Sequence, residues 1–178
     1  MTYVLPGAGQ KTQNCNNWNQ DLIRELDSIA PFDIVVVTAN HSNERWAGVS
    51  DPERYFVDAW LPLVENGARL VVIRDVPGHM DGALECVTKF PDAPDQCSTE
   101  RESSLGYDPL VRAAEQIPNS VLVDLTDYIC DSSRCLIAIG GVVTYRDSHH
   151  LTATFAHTLM TPIEYQLERV GLIPFVTR

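Results

Sequence analysis

Phe32-Asp33-Ile34-Val35-Val36-Val37-Thr38-Ala39 is the stretch that decides the fold. It is apolar almost throughout, is β-branched at its centre, and follows Pro31, which closes whatever helix precedes it. A strand with one face in water alternates polar and apolar residues. One that stays apolar is the kind a parallel sheet buries on both faces. Upstream, Leu22, Ile23, Leu26 and Ile29 recur at helical spacing and predict a helix over about 18–30. Downstream comes a polar loop, Asn40 to Ser50. Asp51-Pro52-Glu53 then reads as a cap, a proline in the first turn and an acid, predicting a helix to about Asn66 that stops at Gly67. Ala68 to Val76 is a second apolar strand.

The alternation continues to both ends. Residues 2–5 read as a short strand running into the turn Pro6-Gly7-Ala8-Gly9. Pro77 to Leu105, rich in Pro, Gly and Asp, reads as a long excursion. A helix is expected over about 107–116, a strand over about 120–125, and a strand over 136–145 broken by Gly140-Gly141. The last helix begins near Thr152 with Phe155, Leu159, Ile163 and Leu167 on one seam, and Pro162 should kink or restart it. Such alternation predicts one α/β domain over 1–178, its parallel sheet covered on both faces. Ligands then bind beyond the carboxyl ends of the strands, at the loops 40–47, 75–82 and 146–150.

The formal net charge of -11 repels phosphate backbones, so nucleic acid is not an expected partner. No apolar run reaches the length of a membrane span, and the first nineteen residues lack the apolar core of a secretory signal. Those two features argue for the cytosol, and the cysteines argue against it. Cys86 and Cys97 bracket a Pro- and Asp-rich loop, Cys130 and Cys135 bracket a second, shorter one, and both spacings suit disulfides of an oxidising compartment. Neither pair has the Cys-x-x-Cys spacing or adjacent histidines of a zinc site, so no metal is expected. Cys15 is left over as the odd cysteine.

Arg146-Asp147-Ser148-His149-His150-Leu151-Thr152, just before the final helix, is the best candidate for chemistry. An Asp three residues ahead of a His can set its carboxylate against the ring Nδ1–H. Nε2 is then left to take a proton from a hydroxyl. Asp147 and His150 have this relation; His149 is too close along the chain and should point elsewhere. Spacing alone favours a plainer account, a polar helix start with Asp147 bonding local backbone and both histidines in water.

IGGVVTYRDSHHLTATFAHTL (139–159) resembles the last catalytic block of SGNH hydrolase-like domains, especially those attached to the acyltransferase family three membrane domain. FDIVVVTANHSNERW (32–46) is similar to their third strand and its loop. RLVVIRDVPG (69–78) with CVTKFPDAPDQCSTER (86–101) resembles their strand, proline turn and cysteine-bracketed loop, and DLTDYICDSSRCLIAIGG (124–141) their short cysteine loop. The resemblance runs from about Cys15 to the C-terminus. It implies a three-layer α/β/α, flavodoxin-like fold with a mainly parallel sheet, lacking the first strand and helix. It also implies His150 as general base and Asp147 as its orienting acid. The implied chemistry moves an acyl group, most simply acetyl, onto or off a hydroxyl of a cell-surface glycan through an acyl-enzyme. No cofactor is needed, and the setting is the extracytoplasmic face of the cell envelope.

The family's Gly-Asp-Ser nucleophile block does not occur in this sequence. Met1 falls where the second strand of the family begins, and the strand at 2–5, deprived of its neighbour, should be poorly anchored or pair abnormally. Gly7 or Gly9 occupies the turn whose glycine N–H serves the oxyanion hole in the family, and Asn40 stands where the family's asparagine would. A loop asparagine capping a strand end accounts equally well for Asn40. In the related domains the partner of Cys15 lies in the upstream stretch. Ser42 follows a strand at the correct end of the sheet but lacks the flanking glycine and the helix that expose a nucleophile, and reads as a loop serine. Cys130 or Cys135 against His150 is the other substitute, and their spacing fits a disulfide better. The expected function is an SGNH-type acyltransferase or esterase domain, inactive alone, with a glycan or acylated small molecule as substrate and a membrane acyltransferase domain as partner. Two rivals stand beside it: a non-catalytic glycan-binding module that keeps the fold, and an unrelated cytosolic flavodoxin-like protein.

Overall fold

The computed structural model describes residues 10–28, 32–40, 50–79 and 81–174. By its internal contacts the chain divides into two compact units. The first holds described residues 10–28, 32–37, 50–72 and 109–121; the second holds 38–40, 73–79, 81–108 and 122–174.

In the first unit, helix α1 covers Gln10–Ser28. It starts well before residue 18 because its opening turns, Gln-Lys-Thr-Gln-Asn, carry no apolar period for a sequence reading to catch. Strand β1 (Ile34–Val37) pairs in parallel with β2 (Arg69–Ile73), from Ile34 opposite Arg69 to Val37 opposite Val72. Helix α2 (Pro52–Glu65) places proline at its start, where a missing N–H is harmless, and Glu53 in its first turn. Asp51 precedes it but makes no side-chain cap bond. Gly67 (φ 104°) turns the chain into β2. Helix α5 (Pro109–Gln116) packs against α2; Leu110, Ala113 and Ala114 recur at i, i+3 and i+4 and are all buried.

The expectation for residues 32–39 needs correction. β1 is four residues long, and Ile34 and Val36 are 40% and 58% exposed. β2 has the doubly buried character expected of β1: Leu70, Val71 and Val72 are 1%, 2% and 0% exposed. The sheet runs β1–β2–β4, with β4 at Val121–Val123, so β2 is its centre and β1 its outermost described strand. Among the described residues β1 has a neighbouring strand on one side only, and its exposure is greater than that of β2.

In the second unit, the long excursion from Pro77 to Leu105 folds into short elements. These are helix α3 (Ala83–Lys89), a 3₁₀ turn at Pro94–Cys97, strand β3 (Thr99–Glu100) and helix α4 (Arg101–Leu105). Pieces this short carry too few residues to display a period. β3 pairs antiparallel with β5 (Arg134–Cys135), an association of segments far apart in sequence. Disulfides join Cys86 to Cys97 and Cys130 to Cys135. Strands β6 (Ala138–Ile139) and β7 (Val142–Val143) form a two-residue hairpin, and Gly140 and Gly141 (φ 58° and 80°) take the left-handed conformation such a turn requires.

Helix α6 (Ala153–Thr158) begins at Thr152, whose hydroxyl accepts the N–H of Phe155 at 3.2 Å. It stops at Leu159, and α7 (Met160–Arg169) starts with Pro162 in its first turn. Pro162 has no N–H for the carbonyl of Thr158 and its ring would crowd that group, which accounts for the restart. Arg74, continuing from β2, lies 2.8 Å from Asp124 and 3.7 Å from the buried carboxylate of Asp108. Burial pushes Asp124 up, but hydrogen bonds from Thr126 and Arg74 outweigh it and hold the carboxyl below its ordinary range.

Candidate acyl-transfer site

The turn at Arg146–His150 is closed from beneath by its own backbone. Tyr145 and Leu151 form an antiparallel bridge, and the N–H of Arg146 donates to the carbonyl of His150 at 2.9 Å. Thr144 and Thr152 anchor the stem: the N–H of Thr152 donates to the Thr144 carbonyl, and its hydroxyl donates to Val143 O at 2.6 Å. Within the turn, Asp147 Oδ1 accepts the backbone N–H groups of His149 (3.0 Å) and His150 (2.7 Å), the local bonding for which aspartate is favoured in turns. That leaves Oδ2, which sits 2.8 Å from His150 Nδ1. One oxygen of the carboxylate thus serves the backbone and the other serves the ring.

The electrostatics follow from the geometry. The backbone N–H of His149 is the largest influence on Asp147, joined by the ring and the N–H of His150, and together they hold the carboxyl well below the usual carboxylate range. The carboxylate is thus ionised over the whole range in which a histidine titrates. His150 keeps half its side-chain surface in contact with solvent.

His149 does not point elsewhere, as its place in the chain suggests. Its ring lies 4.1 Å from that of His150, its Nδ1 is 3.6 Å from Asp147 Oδ1, and the Ser148 hydroxyl lies 3.2 Å from the same nitrogen. Asp147, His149 and His150 offer ligand atoms all within 4.8 Å of one another, a set whose chemistry suits a divalent transition metal, whereas the sequence carries no expectation of one.

Asn40 is half-buried and follows β1 by three residues, at the carboxyl end of the strand. Gly7, Gly9, Ser42 and the strand at 2–5 lie outside the described residues. Cys130 and Cys135 are bonded to each other, so neither is a thiol that His150 can activate. A groove of about 690 Å³ in the second unit is lined by Glu100 to Ser103, Leu105, Ser132 and Ser133, none of them from the Asp147–His150 turn. Tyr145 and His79, which pack against the turn, carry no individual signal in the sequence beyond the place of His79 in the loop 75–82. Tyr145 reads as the end of a strand and His79 as part of a Pro-Gly turn, and only the folded chain brings them together.

With β1 and β2 parallel in the first unit and an Asp-x-x-His turn immediately before the last helices in the second, the chain carries what its sequence resemblance implies for the SGNH class. The chain matches the SGNH domain (fused to AT3 domains) across residues 2–164 and belongs to that family. A solved structure, the periplasmic domain of a lipopolysaccharide acetyltransferase from Salmonella ser. Paratyphi A, is similar with a TM-score of 0.59. It is 17% identical, and the likeness covers 92% of this chain and 67% of that one, so it concerns the fold. No curated protein matches the chain. Among the described residues, no helix is long and apolar enough to cross a membrane.

Proposed function

We propose that this chain supplies the base half of an acyl-transfer site, acting on acetyl esters of cell-surface glycans at the extracytoplasmic face of the envelope. His150 is the general base and Asp147 the acid that orients it. His150 Nε2 takes the proton of a serine hydroxyl as the serine oxygen attacks the acyl carbonyl. The leaving oxygen then receives that proton, and an acyl-serine remains. The acceptor hydroxyl, deprotonated in turn by His150, attacks the acyl-serine and carries the acyl group away, and the imidazolium returns that proton to the departing serine oxygen. Asn40 and the N–H of Gly7 or Gly9 are the proposed donors to the tetrahedral oxyanion. No step calls for a metal or cofactor.

The observation that supports this reading most is the 2.8 Å contact between Asp147 Oδ2 and His150 Nδ1, made by a carboxylate whose other oxygen is fixed by two backbone N–H groups. A carboxylate held at two points cannot swing away from the ring. The serine is the missing part, since Gly-Asp-Ser occurs nowhere in the 178 residues. The purified chain should therefore leave chromogenic acetyl esters unhydrolysed above buffer. In the cell, His150→Ala at the chromosomal locus should strip O-acetyl groups from the surface glycan, measured as acetate released by alkali. Unchanged acetate release in that strain would contradict the proposal and favour a binding module that merely keeps the fold.

A further inference from the structure

We infer that Tyr145 and His79 are positioning residues for the Asp147–His150 pair, acting through the loop Pro77-Gly78-His79; the inference rests on the reading of that pair given above. Tyr145 is fully buried and His79 is 8% exposed, although both carry polar groups. Their rings pack at 5.1 Å between centroids. The Tyr145 hydroxyl donates to Pro77 O at 2.7 Å, and burial pushes that phenol up, so it stays a donor at any physiological pH. The next N–H along the loop, that of Gly78, donates to Ser104 O at 2.8 Å, and the N–H of His79 donates to Ser148 O at 2.7 Å. The His79 ring is tied in its turn by Nδ1 to the Thr99 hydroxyl at 3.1 Å.

Three consecutive loop residues thus each bond to a different part of the second unit, and the last of them reaches into the turn itself. Ser148 lies between Asp147 and the two histidines. Its carbonyl shares one planar peptide with the His149 N–H, one of the two N–H groups that hold Asp147 Oδ1. Fixing the Ser148 carbonyl fixes that peptide, and through it the oxygen left over for His150. Tyr145 acts at both ends of this path, since its backbone closes the stem at Leu151 while its hydroxyl holds the loop. Neither side chain needs to touch a substrate. Their role is to keep the carboxylate and the imidazole within hydrogen-bond reach before a hydroxyl arrives, which is where a displacement of one ångström is expensive.

The test reads the tautomer of His150 by ¹⁵N–¹H NMR of the full chain in Tyr145→Phe, His79→Ala and Thr99→Val. Denaturation midpoints of each variant accompany the spectra. Ile129→Val, a buried change away from the loop, serves as the control for general loosening. The ratio of the Nδ1–H to the Nε2–H form should drop by roughly threefold or more in Tyr145→Phe and His79→Ala and less in Thr99→Val, and stay as in the parent in Ile129→Val. Should the first two fail to fold, Thr99→Val decides by itself. Ratios unchanged in folded variants, or an equal drop in Ile129→Val, would overturn the inference. Asp147→Asn separates the two ideas: if it abolishes the Nδ1–H form while the loop variants do not, the pair stands and its support from Tyr145 and His79 falls. A parent spectrum lacking that form overturns the pair and everything argued to hold it.

Discussion

Ile34–Val37 and Tyr145–Leu151 make an instructive pair, one from each compact unit. As sequence, the first is loud: four β-branched residues in a row that announce a strand. The second is quiet, a mixture of Tyr, Arg, Asp, Ser and His with no period at all. In the structure the loud segment is half exposed and has one described strand beside it, while the quiet one is fixed by a bridge, two stem threonines and a carboxylate that accepts three bonds. Hydrophobicity decides which segments become strands. Local polar bonding decides which atoms are held within hydrogen-bond reach of one another, and chemistry depends on the latter.

Substitutions in the two segments should therefore diverge sharply, and the widest gap is expected in function. His150→Ala or Asp147→Asn should lower the rate of glycan acetylation by about 10⁴–10⁶-fold, the loss seen when the base or its orienting acid is removed from such a unit. Val36→Thr should leave it within a factor of two or so of the parent, as surface changes far from a site usually do. Comparable losses from both segments would break the comparison.

Stability should diverge next. Tyr145→Ala opens a cavity at a fully buried ring and strands Pro77 O, and should cost about 3–5 kcal/mol in urea titration, against about 0.5 kcal/mol or less for Val36→Ala. The disulfides come below that. Opening either loop, by Cys86→Ser with Cys97→Ser or by the corresponding pair at Cys130 and Cys135, should cost about 2–3 kcal/mol on the chain-entropy account. With two disulfides formed and five cysteines in all, one thiol should titrate in denaturant; five would contradict the pairing.

The smallest effect is electrostatic and carries a definite sign. The folded Asp147 carboxyl titrates below its unfolded value, so what it adds to stability is complete above that value, about 3.9. That contribution is lost as pH falls through the folded one. Carboxyl ¹³C shifts followed down the acid limb should show Asp147 still ionised where an unfolded aspartate is half protonated. A midpoint at the unfolded value would remove the argument that three hydrogen bonds converge on it.

Much of the fold is legible in residues 52–76, where Pro52 opens a helix, Gly67 turns the chain and Leu70 to Ile73 form a strand, each by local means. Gly140-Gly141 and Pro162 were readable for the same reason. What could not be read was non-local. The pairing of Thr99 with Cys135 and the packing of His79 on Tyr145 join segments tens of residues apart, and nothing in either segment names its partner. The Asp147–His150 spacing was visible, but a three-residue gap is common; the fold had to bring the ring to the carboxylate before the pattern meant anything. The even burial expected of Phe32–Ala39 failed because composition reports how apolar a strand is and not whether it lies at the centre of its sheet.

The central claim is that a carboxylate pinned by the turn's own amides holds one imidazole in the tautomer a serine needs. Two-dimensional ¹⁵N–¹H spectra of the unmodified chain near pH 8 test it directly. The account predicts His150 protonated on Nδ1 and bare on Nε2, with that pattern lost in Asp147→Asn. Protonation on Nε2 in the parent, unmoved by Asp147→Asn, would contradict it.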